Sequence, residues 1–377
     1  MSNPSQRIIG LDVLRCAAIF GVLGAHGLVF LYPHVGPIPI GDWSFLIGYL
    51  GHLGFYGVEL FFVLSGFLIG RILLRVGEDL NQSRELFRFW TRRWFRTLPA
   101  YFLFLLINLA VVLWVFPQVV PWDRFLTYPI FTQNFAAYGV FFFPESWSLA
   151  VEEWFYLLFP TALWVMFRLR LKTTAAFLAA GVGFTLFSTW MRWQLSADPA
   201  VVWAVEPRVV TLARFDALMM GIFAAWWSLH FADSFRRLRL PLAVIGLVIL
   251  GYAYGTLFAP EGSHDRWFTH VFRFNVVSIG FALLLPWGQH FRSMGSSALD
   301  SAIRNLACWS YSMYLSHMLV LRFLSERWLP NFAESAVQGW WALGLFWGLT
   351  IGLSAIVYRG FEYPLTSLRD RFSFSRD

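Results

Sequence analysis

Two ionisable side chains in the first long apolar stretch of the chain are spaced for joint chemistry. Arg15 and His26 are eleven residues apart, which on an α-helix places them within about 20° of one face and roughly 16 Å apart along the axis. An ionisable residue inside a membrane span costs on the order of 3 kcal/mol, so it predicts a functional site. The alternative is that Arg15 reaches the lipid headgroups with Asp12 as its i,i+3 partner, while His26 bonds a neighbouring helix.

A pair of carboxylates lies at a similar depth in the fourth apolar stretch. Glu152 and Glu153 follow Trp147 and lie roughly 8 Å below the start of that helix, close to the depth of His26. A carboxylate beside an imidazole orients the ring and raises its basicity. Because adjacent helical residues point about 100° apart, at most one of the two can face the same site. Exposed glutamates at the membrane interface are the alternative interpretation.

A second imidazole, His317, is expected to be buried in the ninth apolar stretch. It follows Ser310 by seven residues, so the two side chains share a helix face. The chain has no GxSxG elbow, which disfavours a serine hydrolase. Ser310 is therefore expected to bond a neighbouring helix.

The segment between the second and third apolar stretches is rich in arginine. Arg93 and Arg96 are three residues apart and share a helix face. Two guanidinium groups in this arrangement can hold phosphate in a bidentate manner. Topology signalling and the binding of anionic lipids explain such a cluster about as well.

The composition excludes a soluble enzyme, a disordered chain and a disulfide-stapled secreted domain. Of the 377 residues 58% are hydrophobic and only 14% are charged, whereas soluble domains are about a quarter charged. Apolar stretches long enough to cross a bilayer predict an all-α, polytopic membrane bundle of about ten transmembrane helices. We place the spans at 8–32, 44–74, 97–116, 147–167, 174–193, 208–230, 241–258, 269–288, 306–325 and 338–358.

The distribution of basic residues predicts the orientation of the bundle. With the N-terminus in the cytosol, the inner segments hold 20 of the 29 basic residues and the outer segments hold three, which is a strong positive-inside signal. Both termini and a basic loop at 75–96 are then cytosolic. The segment 117–146 is expected to be outer, interfacial or re-entrant, because a further crossing there would reverse the bias. The net charge of +7 therefore reflects topology and not nucleic-acid binding, and no zinc-binding spacing is present.

Seven stretches in a fixed order carry a resemblance to a known family. The chain resembles the acyltransferase-3 family of integral membrane O-acyltransferases. The stretches are LDVLRCAAIFGVLGAH (11–26), GVELFFVLSGFLIGR (57–71), RRWFRTLPAYF (92–102), WSLAVEEWFYLLFP (147–160), RFDALMMG (214–221), SYSMYLSH (310–317) and FEYP (361–364).

The resemblance implies one membrane domain over residues 1–377, in an inner or plasma membrane of bacterial type. The implied reaction moves an acyl group, most often acetyl, from cytosolic acyl-CoA to a hydroxyl. The acceptor would be a carbohydrate, a lipid-linked glycan or a small natural product, and acyl-CoA would be a co-substrate, with no bound cofactor and no metal. Some members carry an additional esterase-like domain, which this chain is expected to lack.

The resemblance also assigns roles to the basic residues. The family's Arg-x10-His element falls on Arg15 and His26, which makes His26 the expected general base. Its Arg-x-x-Arg element falls on Arg93 and Arg96. Together with Arg15, these two arginines are expected to hold the CoA phosphates.

The remaining family elements are assigned in the same way. The Ser-Gly-Phe element begins at Ser65, and the membrane glutamate falls on Glu152, with Glu153 as the second candidate. Glu152 is expected to orient the imidazole base. Ser65, Tyr311 and His317 are second-line candidates for stabilising the oxyanion. Direct transfer and transfer through an acyl-histidine both remain open.

A polytopic transporter or flippase for a glycan or lipid intermediate is the alternative class. Buried charges and about ten spans fit it too. The sequence disfavours it because we detect no internal repeat and no pair of interrupted helices.

Overall fold

The computed structural model describes residues 7–34, 50–116, 122–137, 139, 142–198, 200–202, 205–257, 267–329, 331 and 334–368. These residues form helices and turns but no strand, which confirms the all-α class. The long helices follow the predicted apolar stretches in order: α1 Ile9–Gly27, α2 Leu53–Val76, α3 Ser83–Ala110, α4 Ser146–Arg168, α5 Thr173–Leu195, α6 Phe215–His230, α7 Arg239–Gly255, α8 Arg273–His290, α9 Ser297–Phe323 and α10 Ala336–Val357.

Seven of the described helices are long and apolar enough to cross a membrane: α1, α2, α3, α4, α5, α8 and α10, each taken with the turns that extend it. Helices α6 and α7 are shorter, with 16 and 17 residues, and α9 begins with the polar sequence SALDSAIRN. The bundle is therefore a membrane bundle, while the count of ten spans stays a prediction. The residues at the two termini, 1–6 and 369–377, lie outside the described part of the chain.

Helices α2 and α6 pack with their backbones in direct contact. A Cβ atom added at Gly66 would overlap the carbonyl oxygen of Leu218, and one added at Gly221 would overlap that of Val63. Small residues that allow this approach are typical of helix interfaces in membranes. The Ser-Gly-Phe stretch on α2 thus has a packing role at its glycine.

Two buried ion pairs join four helices beside this interface. Arg214, the residue just before α6, pairs with Glu59 of α2, and Arg192 of α5 binds Asp216 of α6 at 2.9 Å. Ser278 of α8 donates a further hydrogen bond to Glu59 at 3.2 Å. All four charged side chains are fully buried. Because buried charges inside a membrane protein are stable only when paired, this network ties the helices together.

The predicted basic loop at 75–96 is largely helical in the structure. A 3-10 turn at Gly77–Asn81 links α2 to α3, and α3 begins at Ser83. Hydropathy detects only the apolar part of a helix, so the boundary predicted at residue 97 missed more than three polar helical turns. Arg93 and Arg96 therefore lie on a helix and not in a loop.

The segment predicted at 117–146 contains no long helix in its described residues, which are 122–137, 139 and 142–146. It forms a short helix, Trp122–Phe125, and a series of turns. Asn134, which is fully buried, donates to the carbonyl oxygens of Trp147 at 3.0 Å and Val209 at 2.6 Å. The segment thus packs between the start of α4 and the short helix Glu206–Val209, where its backbone polar groups have partners.

Candidate active site

A cavity opens between α1, α2, α3, α4 and α9. Six of the residues singled out in the sequence line it: Arg15, Ser65, Arg93, Arg96, Glu152 and Tyr311. Further polar lining residues are Thr97, Ser148, Tyr156, Ser310 and Tyr314. The lining thus brings together arginines, a carboxylate and several hydroxyl groups from five helices.

Three arginines converge on one part of this cavity. Arg15 comes from α1, where its Nη1 binds Asp12 Oδ1 at 3.0 Å, and Arg93 and Arg96 come from α3. Arg96 is exposed and close enough to Arg15 for the two cations to repel each other. Asp12 is shared with a further arginine, Arg7, at 2.7 Å. This excess of positive charge favours binding of an anion.

Glu152 forms a polar cluster with hydroxyl groups from two helices. Beside it in the cavity lining are Ser65 of α2 and Tyr156, which lies one helical turn further along α4. The two hydroxyl oxygens are themselves 2.5 Å apart. Arg93 and Arg96 act electrostatically on the same carboxylate, so this cluster lies next to the arginines.

The neighbouring carboxylate points away from the cavity. Glu153 is buried and lies near Thr97 of α3, but it is not part of the cavity lining. The divergence of about 100° between adjacent helical residues accounts for the difference. Of the two carboxylates left open by the sequence, Glu152 is the one that faces the cavity.

His26 and His317 form a hydrogen-bonded pair. His317 Nε2 lies 3.2 Å from His26 Nδ1, and His317 Nδ1 lies 2.7 Å from the carbonyl oxygen of Tyr314. A carbonyl only accepts, so His317 Nδ1 carries its proton, and Nε2 of the neutral ring accepts from His26 Nδ1. This arrangement leaves a lone pair on His26 Nε2, as a general base requires.

The sequence predicts that Glu152 orients His26, whereas the hydrogen bond observed on the His26 ring involves His317. A similar depth on two helices does not determine which side chains meet, because the rotation of each helix about its axis also matters. The histidine pair adjoins the cavity through Tyr314, whose ring centroid lies 5.6 Å from that of His317. Arg15 and His26 thus lie along one helix, with the arginine in the cavity lining and the imidazole beside it.

Tyr311 and Tyr314 line the cavity from α9, and both hydroxyls have partners. Tyr311 donates to the carbonyl oxygen of Thr97 at 2.9 Å. The Tyr314 hydroxyl lies 2.6 Å from Ser148 Oγ and 3.1 Å from the carbonyl oxygen of Glu145. These bonds fix both rings between the arginines and the histidine pair.

A family profile described as an acyltransferase domain matches residues 8–359. This chain belongs to the acyltransferase-3 family. Together with its apolar helices, this membership makes the chain an integral membrane protein with an acyltransferase domain.

Several bacterial O-acetyltransferases are similar to this chain. O-acetyltransferase OatA of Staphylococcus aureus is 27% identical over 337 residues, which are 84% of this chain and 51% of that protein. Peptidoglycan O-acetyltransferase OatA of Listeria monocytogenes is 34% identical over 229 residues, 55% of this chain and 36% of that protein. Putative peptidoglycan O-acetyltransferase YrhL of Bacillus subtilis is 30% identical over 402 residues, which cover 98% of this chain and 56% of that protein.

The chain spans about half the length of the Staphylococcus aureus and Bacillus subtilis relatives, and a smaller part of the Listeria monocytogenes protein. No solved structure shows a significant match to it. Within the described residues, no group of histidine, cysteine, aspartate and glutamate side chains is arranged to hold a metal ion.

The sequence interpretation missed several cavity residues that local spacing could have indicated. Tyr156 is four residues after Glu152, and Tyr314 is three residues before His317, so each shares a helix face with a residue already singled out. Ser148 precedes Glu152 by four residues and could have been found in the same way. Arg208 is the first residue of the predicted span 208–230, and no spacing signal connects it with the other residues.

Proposed function

We propose that this acyltransferase transfers an acetyl group from acyl-CoA to a hydroxyl group of a glycan. The observation that carries the proposal is a single cavity that holds three arginines and adjoins, through Tyr314, a histidine with a free lone pair. The similarity to proteins named as O-acetyltransferases and as peptidoglycan O-acetyltransferases supports both the group transferred and the class of acceptor.

In this proposal Arg15, Arg93 and Arg96 hold the phosphates of acyl-CoA, which acts as a co-substrate. Guanidinium groups bind phosphate oxygens in a planar, bidentate geometry, and the arginines of the cavity outnumber the acidic side chains that neutralise them. The positive-inside bias puts this end of the bundle, and both termini, on the cytosolic face of a bacterial-type inner membrane. The acyl-pantetheine arm then extends through the cavity towards Tyr314.

His26 acts as the general base. Its Nε2 takes the proton from the acceptor hydroxyl, and the oxygen attacks the thioester carbonyl to form a tetrahedral oxyanion. When the carbon–sulfur bond breaks, the CoA thiolate leaves and takes up the proton from the imidazolium. His317 positions the base through the His26 Nδ1 proton, and Glu152 positions the hydroxyl groups of Ser65 and Tyr156 beside the thioester.

The overall activity is tested with purified protein and acetyl-CoA carrying a labelled acetyl group. We expect the label to enter glycan acceptors as an ester, and mass spectrometry of envelope glycans from cells with and without the protein to show the matching mass difference. A transporter would instead move its substrate across vesicles in response to a gradient, without consuming acetyl-CoA. That outcome would overturn the proposal.

The base assignment is tested with His26→Ala. We expect the transfer rate to fall by about 10² to 10⁴, which is the usual contribution of an aligned base, while acetyl-CoA binding persists. His230→Ala is the matched control, because His230 is exposed at the end of α6, away from the cavity lining. A His26→Ala protein that kept the wild-type rate would contradict the assignment.

A further inference from the structure

Arg208 is a cation that has no ion-pair partner in the part of the chain that the structure describes. It lies on the short helix Glu206–Val209, between α5 and α6. Its Nε is buried without a hydrogen-bond partner, and no residue that the structure describes forms an ion pair or hydrogen bond with its guanidinium group. Instead, the guanidinium carbon lies 5.6 Å from the ring centroid of Phe55 and 5.7 Å from that of Trp147.

Two other buried arginines near Arg208 are in ion pairs. Arg192 binds Asp216, and Arg214 binds Glu59. Glu59 also acts electrostatically on Arg208, but it is already occupied by Arg214 and by a hydrogen bond from Ser278. The Arg208 side chain is half-buried, and its buried Nε has no hydrogen-bond partner among the described residues. Because a buried polar atom is normally satisfied, this free donor suits an anionic group of a ligand.

The position of Arg208 connects it with the proposed base. It is close enough to act electrostatically on His26 and on Tyr314. It also lies at the end of the bundle where α1 finishes and α4 begins, since it packs on Trp147 in the first turn of α4. Arg15 lies near the opposite end of α1. The two cations are therefore on different sides of the histidine pair, and Arg208 is on the side away from the arginines that are proposed to hold acyl-CoA. This side is open to the acceptor in the proposal.

A second unsatisfied group supports a ligand site at this end. Glu145, just before α4, is buried, and both of its carboxyl oxygens are without hydrogen-bond partners among the described residues. Its carbonyl oxygen accepts from Tyr314, which places it beside the same tyrosine as Arg208. Buried polar groups are normally satisfied, so the unpartnered carboxyl oxygens of Glu145 suit hydrogen-bond donors of a polar molecule at this end of the bundle.

We propose that Arg208 binds an anionic group, a carboxylate or a phosphate, of the hydroxyl-bearing acceptor and thereby positions the hydroxyl at His26. This inference rests on the proposed function. The planar guanidinium suits a bidentate oxyanion, and the rings of Phe55 and Trp147 hold it in one orientation. The acceptor class is accordingly an anionic glycan.

The experiment uses matched acceptors with wild-type protein and Arg208→Gln. One pair is an N-acetylglucosamine–N-acetylmuramic acid oligosaccharide and the same oligosaccharide with its carboxylates converted to neutral amides. The other pair is N-acetylglucosamine 1-phosphate and N-acetylglucosamine, so that the preferred pair distinguishes carboxylate from phosphate. We expect the wild type to prefer one anionic acceptor by about 10- to 100-fold in kcat/KM, the usual contribution of charged hydrogen bonds.

Arg208→Gln should abolish this preference through a higher acceptor KM, while the KM for acetyl-CoA stays unchanged. Arg208→Lys should keep part of the preference because it keeps the charge. The fold should survive in these variants, because the contact that Arg208 makes with Arg214 is through its backbone carbonyl oxygen. Arg327→Gln, at an exposed position in the turn after α9, is the control for loss of one charge.

The outcomes are separable. A wild type that does not discriminate within either pair, or an Arg208→Gln protein that keeps the preference, would overturn the inference. An equal loss with charged and neutral acceptors would overturn it too, and would assign Arg208 to the oxyanion or to folding. Binding of the four probes is also measured without acetyl-CoA. If the anionic acceptor of a pair binds to the wild type but not to Arg208→Gln, and no acetyl group is transferred to it, the result supports the inference and rejects the proposed function.

Discussion

His317 Nε2 lies 3.2 Å from His26 Nδ1, and the opposite nitrogen of His317 lies 2.7 Å from the Tyr314 carbonyl oxygen. The chain of hydrogen bonds has one direction, because the carbonyl at its end only accepts. It fixes the tautomers of both neutral rings and leaves His26 Nε2 unprotonated. A backbone carbonyl of α9 thus determines which nitrogen of a histidine on α1 can act as a base.

Removing His317 should reduce the rate without abolishing it. We expect His317→Ala to lower kcat by about 10- to 100-fold, less than loss of the base itself, because the His26 ring loses its orienting partner. Steady-state kinetics at saturating acetyl-CoA measure the effect. His317→Gln supplies both an acceptor and a donor and should recover part of the rate. In the His26→Ala background, His317→Ala should have little further effect, since the two rings act as a unit; additive losses would show that they act separately.

The adjacent carboxylates of α4 make a matched pair for mutation. Glu152→Gln should lower kcat by about 10-fold or more, because it removes the negative charge that lies beside Ser65, Tyr156 and the arginines of the cavity, and interactions with a charged group are about twice as strong as neutral ones. Glu153→Gln changes the same group one residue away, outside the cavity lining, and should leave kcat within about 2-fold. The measurement is kcat of the two variants at equal concentrations of folded protein. An equal loss of kcat in Glu152→Gln and Glu153→Gln would contradict a specific role for Glu152 in the cavity.

The arginines of α3 are expected to act on donor binding. Arg93→Gln combined with Arg96→Gln should raise the acetyl-CoA KM by about 10-fold or more with a smaller change in kcat, as expected for lost phosphate contacts. Arg75→Gln removes the same charge from an exposed position at the end of α2 and serves as the control.

A donor that lacks one phosphate separates phosphate binding from a general effect of charge. The wild type should bind 3′-dephospho-acetyl-CoA more weakly than acetyl-CoA, and the double variant should no longer distinguish the two. If Arg75→Gln raised the donor KM equally, or if only kcat changed in the double variant, the arginines would not be the phosphate site.

The contact between α2 and α6 should be sensitive to one methyl group. Gly66→Ala places a Cβ on the carbonyl oxygen of Leu218, so the helices must separate, at a cost of about 1–3 kcal/mol for overpacking. Gly24→Ala on α1 has open space around the new atom and should not destabilise the protein, since alanine favours helix. Thermal unfolding in detergent measures both. Equal midpoints for Gly66→Ala and the wild type would contradict the close packing.

The sequence determined the class of the protein and the candidates for its site. Apolar length, arginine bias and helical spacing are properties of a single segment, so they predicted the membrane helices and the shared face of Arg15 and His26. They also predicted that Ser310 and His317 lie on one face of a helix. The family stretches added the cluster at Arg93 and Arg96. None of these conclusions requires knowledge of which helix packs against which.

Only the tertiary structure decided how these residues combine. Spacing within α4 could not choose between Glu152 and Glu153, because the choice depends on which face of α4 meets α2 and which meets α3. It could not show that the His26 ring contacts the His317 ring, or that Arg208 lies near the His26 imidazole with no ion-pair partner among the described residues. The rotation of each helix about its axis, and the identity of its neighbours, result from packing between segments far apart in the chain. Periodicity within one segment carries no information about either.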